Sequence, residues 1–376
     1  MRLAAFYAGL IFNAAFLTYA AGVAWRGADP VSLWLGPLAW GMFLLLGVYW
    51  VPARTGLGPR ELVEAQLGRW VGGFVWWVWL PLWAVSWYGD LTATFQYTVH
   101  APFFRWEEAG RASVDTRIAV AWPWVVLTAL LGPAPVRISV AILLAAPFAY
   151  RDRWGETLAL LGRPACCEGA WGMQDLTLWL APALLFAGRF PERRLRDGFL
   201  GIVVPLVLAT GAAVLTVAGA GGRSMRYLDM AGGSGTVGVV KMLLLSFTML
   251  GAGRFCVSLF AERLGEWRWW WVVLPMTAAL VWLAPMWPYR WDWPHLASPF
   301  VALAGVMSAG YLRRPGFVFS KAEQWVAGAV WVGTGAFGVV TYHNHFSVPL
   351  LTWLLGFGLT WAGLRYLNVA VATPLR

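Results

Sequence analysis

The chain has 376 residues, is 60% hydrophobic and only 12% charged, and carries a net charge of +10. Soluble domains run near 25% charged, so the composition excludes an ordinary soluble globular protein. No contiguous basic patch would track phosphates, so the positive charge does not read as nucleic-acid binding.

Apolar runs close to the ~20 residues that cross a bilayer fill most of the length. They predict about twelve transmembrane helices, over residues 3–25, 31–51, 70–99, 118–131, 136–150, 176–188, 199–219, 237–260, 269–287, 296–312, 325–342 and 348–367. The first run is taken as a span: it lacks a basic lead beyond Arg2 and a small-x-small cleavage site, so it does not read as a signal peptide. The fourth, fifth and sixth fall below about 17 residues, which leaves open a misplaced boundary or a segment that breaks within the membrane. Connectors are short, and the chain reads as one all-α polytopic transmembrane domain. Counted from a cytoplasmic N-terminus, 16 basic residues fall on the inner side and 10 on the outer. That bias predicts a multi-pass protein of the cell inner (plasma) membrane with both termini in the cytoplasm.

Residues 53–90 carry the most information. Ala53-Arg54-Thr55-Gly56-Leu57 opens a charged connector containing Arg60, Glu61, Glu64 and Arg69. In the third span Trp76, Trp79, Trp83, Trp87 and Asp90 recur at spacings of three and four, so on an α-helix they share one face. A carboxylate at the end of such a stripe is costly in hydrocarbon unless it is paired or used.

The connector, Leu67-Gly68 and Trp87-Tyr88-Gly89 together resemble the cytosine permease branch of the nucleobase–cation symporter family. The basic stretches Arg189–Arg196 and Tyr311-Leu312-Arg313-Arg314 sit where that family has similar loops. The resemblance implies a 5+5 inverted repeat of the leucine-transporter type plus two C-terminal helices. The first repeat would occupy 1–150, the second 174–314, and the added helices 323–368. It also implies a substrate site near the midplane between broken first and sixth helices. By this resemblance Trp87 corresponds to a tryptophan that stacks on a planar heterocycle; as a residue in a chain with 28 tryptophans its plain alternative is packing. Tyr88 and Ser86 flank it, and Asn13 is the strong polar group of the first span.

Other positions depart from the family pattern. Ala84 replaces a glutamine, and residues 14–19 replace a Gly-Gly break. Ala183-Leu184-Leu185-Phe186 replaces a polar segment of the sixth helix. The hydroxyl pair of the family's sodium site aligns with Met249-Leu250, whose side chains supply no oxygen ligands. Sodium coupling through that site is therefore not expected. Asp90 is a candidate for proton coupling or for bonding a substrate amide; the plain alternative is a carboxylate paired in a watery vestibule. Arg254, deep in the eighth span, is a candidate to stand in for the sodium ion or else to snorkel to the inner face.

The four histidines fall on the outer side, and His343-x-His345 is too loose a pattern to assign a metal. Cys166-Cys167 and Cys256 form no Cys-x-x-Cys motif, and no nucleophile triad or phosphate loop stands out. No enzyme activity, cofactor or metal is expected. Two functional classes remain. One is a secondary transporter of a small planar heterocycle, coupled to protons or uncoupled, with substrate and membrane lipids as its partners. The other is a transport-inactive relative acting as an accessory subunit of a membrane complex, bound to a membrane protein through its tryptophan-rich surface.

Overall fold

The structure is a computed structural model, and it describes residues 30–55, 57, 59–83, 155, 180–182, 184–185, 195–219, 293–313, 318–341 and 348–372. Every described element is a helix. Helix α1 (Pro30–Phe43) runs through a π-helical stretch, Leu44–Tyr49, into α2 (Trp50–Thr55). Helix α3 (Pro59–Phe74) continues through a second π-helical stretch, Val75–Trp79, as far as residue 83. Helix α4 (Leu195–Gly198), a third π-helical stretch (Phe199–Val203) and α5 (Val204–Gly219) form one rod. Near the C-terminus lie α6 (Trp293–Arg313), α7 (Lys321–Thr341) and α8 (Val348–Ala372).

The chain divides into two compact units. The second comprises residues 39–83, 174–199 and 292–376. Its hub is α6, in which every residue from 297 to 310 is buried. A helix apolar on all sides belongs at the centre of a bundle. Helices α7 and α8 flank it, and α3 packs along α7. Helix α6 crosses α8 with backbones touching: a methyl group on Gly305 would press into the Trp353 carbonyl, and one on Gly356 would sit 2.7 Å from that of Ala302. Small residues allow such close crossings in membranes, where apolar burial does not itself drive helices together. In the first unit, the described residues are the start of α1, Gly155, and most of the rod that includes α5.

The outer surface of the second unit is what lipid demands. Trp325, Val332 and Val340 of α7 are exposed, as are Leu351, Leu354, Leu359 and Tyr366 of α8. A soluble protein rarely leaves so continuous an apolar surface uncovered. With 21 and 25 residues, α7 and α8 reach roughly 31 and 37 Å at 1.5 Å per residue, enough to cross a ~30 Å hydrocarbon core. The protein is a multi-pass membrane protein.

Observed bounds track the expected spans with instructive offsets. The span expected at 325–342 begins four residues earlier, because Ser320 and Glu323 form a capping box. Ser320 N–H donates to Glu323 Oε2 at 2.8 Å, and Glu323 N–H donates to Ser320 Oγ at 3.4 Å. The span expected to start at 70 is preceded by a further helical segment that folds back at Gly68, whose φ of 78° and ψ of 163° break the helix.

Candidate functional site

The residues that sequence reasoning assigned to a site, Asn13, Ser86, Trp87, Tyr88, Asp90 and Arg254, all lie outside the described residues, as do His100, His343 and His345. The first three tryptophans of the stripe are described, and they show what that face does up to residue 83. Trp76 is buried, and Trp83 is among the largest fully buried side chains. Trp83 meets Phe300 edge to face at 6.1 Å. Trp79 Nε1–H donates to the Leu296 carbonyl at 3.0 Å. This half of the stripe is packing against α6. The π-helical stretch Val75–Trp79 adds to the turn there, which a strict 3.6-residue count from sequence does not anticipate.

The beginning of α6 is held by side chains from its neighbours. Pro299 stands inside the helix and removes the N–H that would bond the carbonyl four residues earlier. Two indoles donate in this region, Trp79 to Leu296 O and Trp331 Nε1–H to Pro299 O at 2.9 Å. His295 Nδ1 lies 2.8 Å from the Val339 carbonyl. A carbonyl only accepts, so this nitrogen carries the proton. His295 thereby covers one of the last carbonyls of α7, which have no partner within their own helix. It serves a helix end, and no cluster of metal-ligating groups occurs among the described residues.

One turn further in, polar groups converge where α6, α7 and α8 meet. Ser298 and Thr352 are fully buried, and their hydroxyls have no hydrogen-bond partner. Both face Gly338: a methyl group there would come within 2.9 Å of Thr352 Oγ1 and 3.0 Å of Ser298 Oγ. Thr334 nearby turns its hydroxyl back to the Val330 carbonyl at 2.7 Å.

The opposite end of this unit holds the described residues of the connector, with Leu67-Gly68, which form part of the set that carried the family resemblance. Thr55 Oγ1 accepts from Leu57 N–H at 3.4 Å, closing the turn after α2. Residues 59–67 then form a short helix started by Pro59, which needs no N–H at that position. Arg60 and Glu64 pair within it at 2.7 Å. The segment folds back at Gly68 so tightly that a methyl group on Gly72 would lie 2.8 Å from Glu64 Cα. On its other side it meets the start of α7. Phe319 N–H donates to Ala65 O at 3.3 Å, and Gln324 Nε2–H donates to Ala65 O at 3.4 Å and to Phe319 O at 3.2 Å.

Between these contacts lies Gln66, fully buried, with neither its amide nitrogen nor its amide oxygen hydrogen-bonded. Its neighbours are Phe319 and the backbone at Gly310. A buried polar group without a partner costs about 1–3 kcal/mol. Sequence reasoning missed Gln66, because a glutamine in a charged connector looks solvated. It also missed the role of Gly68, although the Leu67-Gly68 pair was noticed.

The same end collects basic side chains. Arg54, Arg60, Arg69, Arg196, Lys321 and Arg365 are exposed, and Arg313 donates to the Trp361 carbonyl at 3.5 Å. Arg54 stacks on Trp50, with its guanidinium carbon 4.4 Å from the ring centre. The described members of the group expected on the inner side thus stand at one end of one unit.

No family model matches the sequence, and no curated protein matches it. Solved structures do. The chain is similar to Mhp1, a nucleobase-cation-symport-1 family transporter, in a closed conformation with bromovinylhydantoin bound, with a TM-score of 0.63 and 15% identity over 100% of this chain and 93% of that one. The inward-facing conformation of Mhp1 gives 0.65 and 13%, over 98% and 90%. MhsT in complex with L-phenylalanine gives 0.54 and 15%, over 98% of each. These neighbours are membrane transporters and not enzymes. The chain has the all-α, leucine-transporter type of fold that Mhp1 and MhsT share.

Proposed function

We propose that the protein is a secondary-active transporter of a small planar heterocycle, a nucleobase or a related compound, within the nucleobase–cation symporter family and on its cytosine permease side. The observation that carries this reading is the likeness to Mhp1 over the whole chain, because that protein holds bromovinylhydantoin. The connector motif of residues 53–57, with Leu67-Gly68 and Trp87-Tyr88-Gly89, supports it independently of the fold.

On this reading Trp87 stacks on the ring, with Tyr88, Ser86 and Asn13 around it. Asp90 binds a ring amide or carries the coupled proton. Arg254 supplies a fixed positive charge where a sodium site would otherwise stand, so transport is driven by protons or is uncoupled. The inverted repeats occupy 1–150 and 174–314, and the basic end of the second unit faces the cytoplasm.

The test is uptake of radiolabelled pyrimidines, purines and hydantoins by the purified protein in proteoliposomes, with and without an imposed proton gradient. Saturable uptake of at least one compound is expected. Trp87→Ala should weaken substrate affinity, and Asp90→Asn should abolish the response to the gradient. An absence of saturable uptake and binding across the panel refutes the transporter reading and leaves the accessory-subunit one.

A further inference from the structure

We infer that residues 59–67 form a latch, hinged at Gly68, that closes over the start of α7 and whose closed state is weakened by the unpaired amide of Gln66. Four observations carry it. The first is the hinge. A φ of 78° with a ψ of 163° is a conformation essentially confined to glycine, and Gly68 is the one glycine with positive φ among the described residues. Such a residue can absorb a large change in backbone angle without a side-chain clash.

The second is the local order of the swinging piece. Proline at its first helical position and the Arg60–Glu64 pair both favour the helical form of residues 59–67.

The third is the make-up of the closure. Leu62, Val63 and Leu67 are buried and favour the closed state. The Ala65 carbonyl, in contrast, accepts only two long bonds across the gap, from Phe319 N–H at 3.3 Å and from Gln324 Nε2 at 3.4 Å, against the usual 2.9–3.0 Å. Helix α7 does not depend on them, because Ser320 and Glu323 cap it from within its own sequence. Opening the latch therefore leaves α7 intact.

The fourth is Gln66. Closed, its amide has no partner and is 0% exposed; open, both atoms reach water. Closing is thus opposed by a polar group whose bonds are satisfied only in the open state. The closed latch covers Phe319 and the end of α6 at Gly310, so opening exposes both. Use of this motion in a transport cycle rests on the reading above; the motion itself does not.

The experiment is hydrogen–deuterium exchange of the full chain in proteoliposomes without substrate, comparing the wild type with Gln66→Leu and Gln66→Glu. Leucine removes the unpaired amide, so exchange in segments 60–67 and 318–324 should slow by about tenfold or more. Glutamate buries a charge and should speed both segments. Segment 301–309 of α6 should not change in either variant. Equal exchange in all three proteins, the reverse order, or a parallel shift in segment 301–309 would overturn the latch. No uptake is measured, so a failed substrate panel and a failed latch are separate results.

Discussion

A methyl group at Gly305 would press into the Trp353 carbonyl, whereas one at Gly333 or Gly358 meets nothing within 4 Å. The same substitution therefore has opposite consequences at these positions. Gly305→Ala should lower stability by about 1–3 kcal/mol through overpacking at the α6–α8 crossing. Gly333→Ala should be neutral or raise it by about 0.5–1 kcal/mol by removing backbone freedom from a helix interior. Thermal unfolding of the two variants in the same detergent checks the sign of each. Gly68 is a third kind of position, defined by its dihedral angles. Gly68→Ala forces a Cβ into a region that costs about 1–3 kcal/mol and brings it to 3.1 Å from Gln324 Oε1, so a lower unfolding temperature is expected. From sequence alone these glycines look alike. What separates them is the neighbouring backbone, which no local pattern encodes.

Helix α7 shows how an element's start is written locally. Ser320-Lys321-Ala322-Glu323 is a capping-box signature, and its reciprocal bonds form as the pattern dictates. Reading by apolar runs alone passed over it and placed the span at 325. Ser320→Ala should cost about 0.5–2 kcal/mol, seen as faster amide exchange confined to the first turn of α7. Helix α6 shows the reverse dependence. Its early turns, interrupted by Pro299, are supported by indole donors from α3's continuation and from α7, residues more than two hundred positions away in one case. Trp79→Phe keeps an aromatic ring but loses the donor to Leu296 O and part of the indole's bulk, so a loss of at least about 0.5–1.5 kcal/mol is expected. A drop in unfolding temperature with unchanged helical content is the expected outcome. The tryptophan stripe was thus visible as one face of a helix. That its described half packs on α6 became visible only once α6 was in place.

For the whole molecule, the strongest evidence of orientation is the company that basic residues keep. Arg60, Lys321 and Arg365 come from three distant stretches of chain and are all exposed. The contacts of Ala65 with Phe319 and of Arg313 with Trp361 bring those stretches to one end. Single cysteines at positions 60, 321 and 365, in a chain with Cys166, Cys167 and Cys256 replaced by serine, should all react with an impermeant maleimide from the same side of sealed vesicles. The positive-inside rule predicts that this side is the cytoplasmic one. Reaction of any one of them from the opposite side would refute the shared placement.

The sequence by itself determined the class of the protein. Its apolar runs, sparse charge and basic bias specify membrane helices, because hydrocarbon leaves the backbone few other ways to satisfy its hydrogen bonds. The connector motif pointed to the family resemblance that the likeness to Mhp1 supports at the level of fold. The tertiary structure decided which polar and small residues bear on one another: Gln66 enclosed without a partner, Gly338 beneath two buried hydroxyls, Gly305 against a carbonyl. Burial and close approach depend on different helices, well separated along the chain. They are settled when helices pack, so a residue's own neighbours in sequence could not announce them.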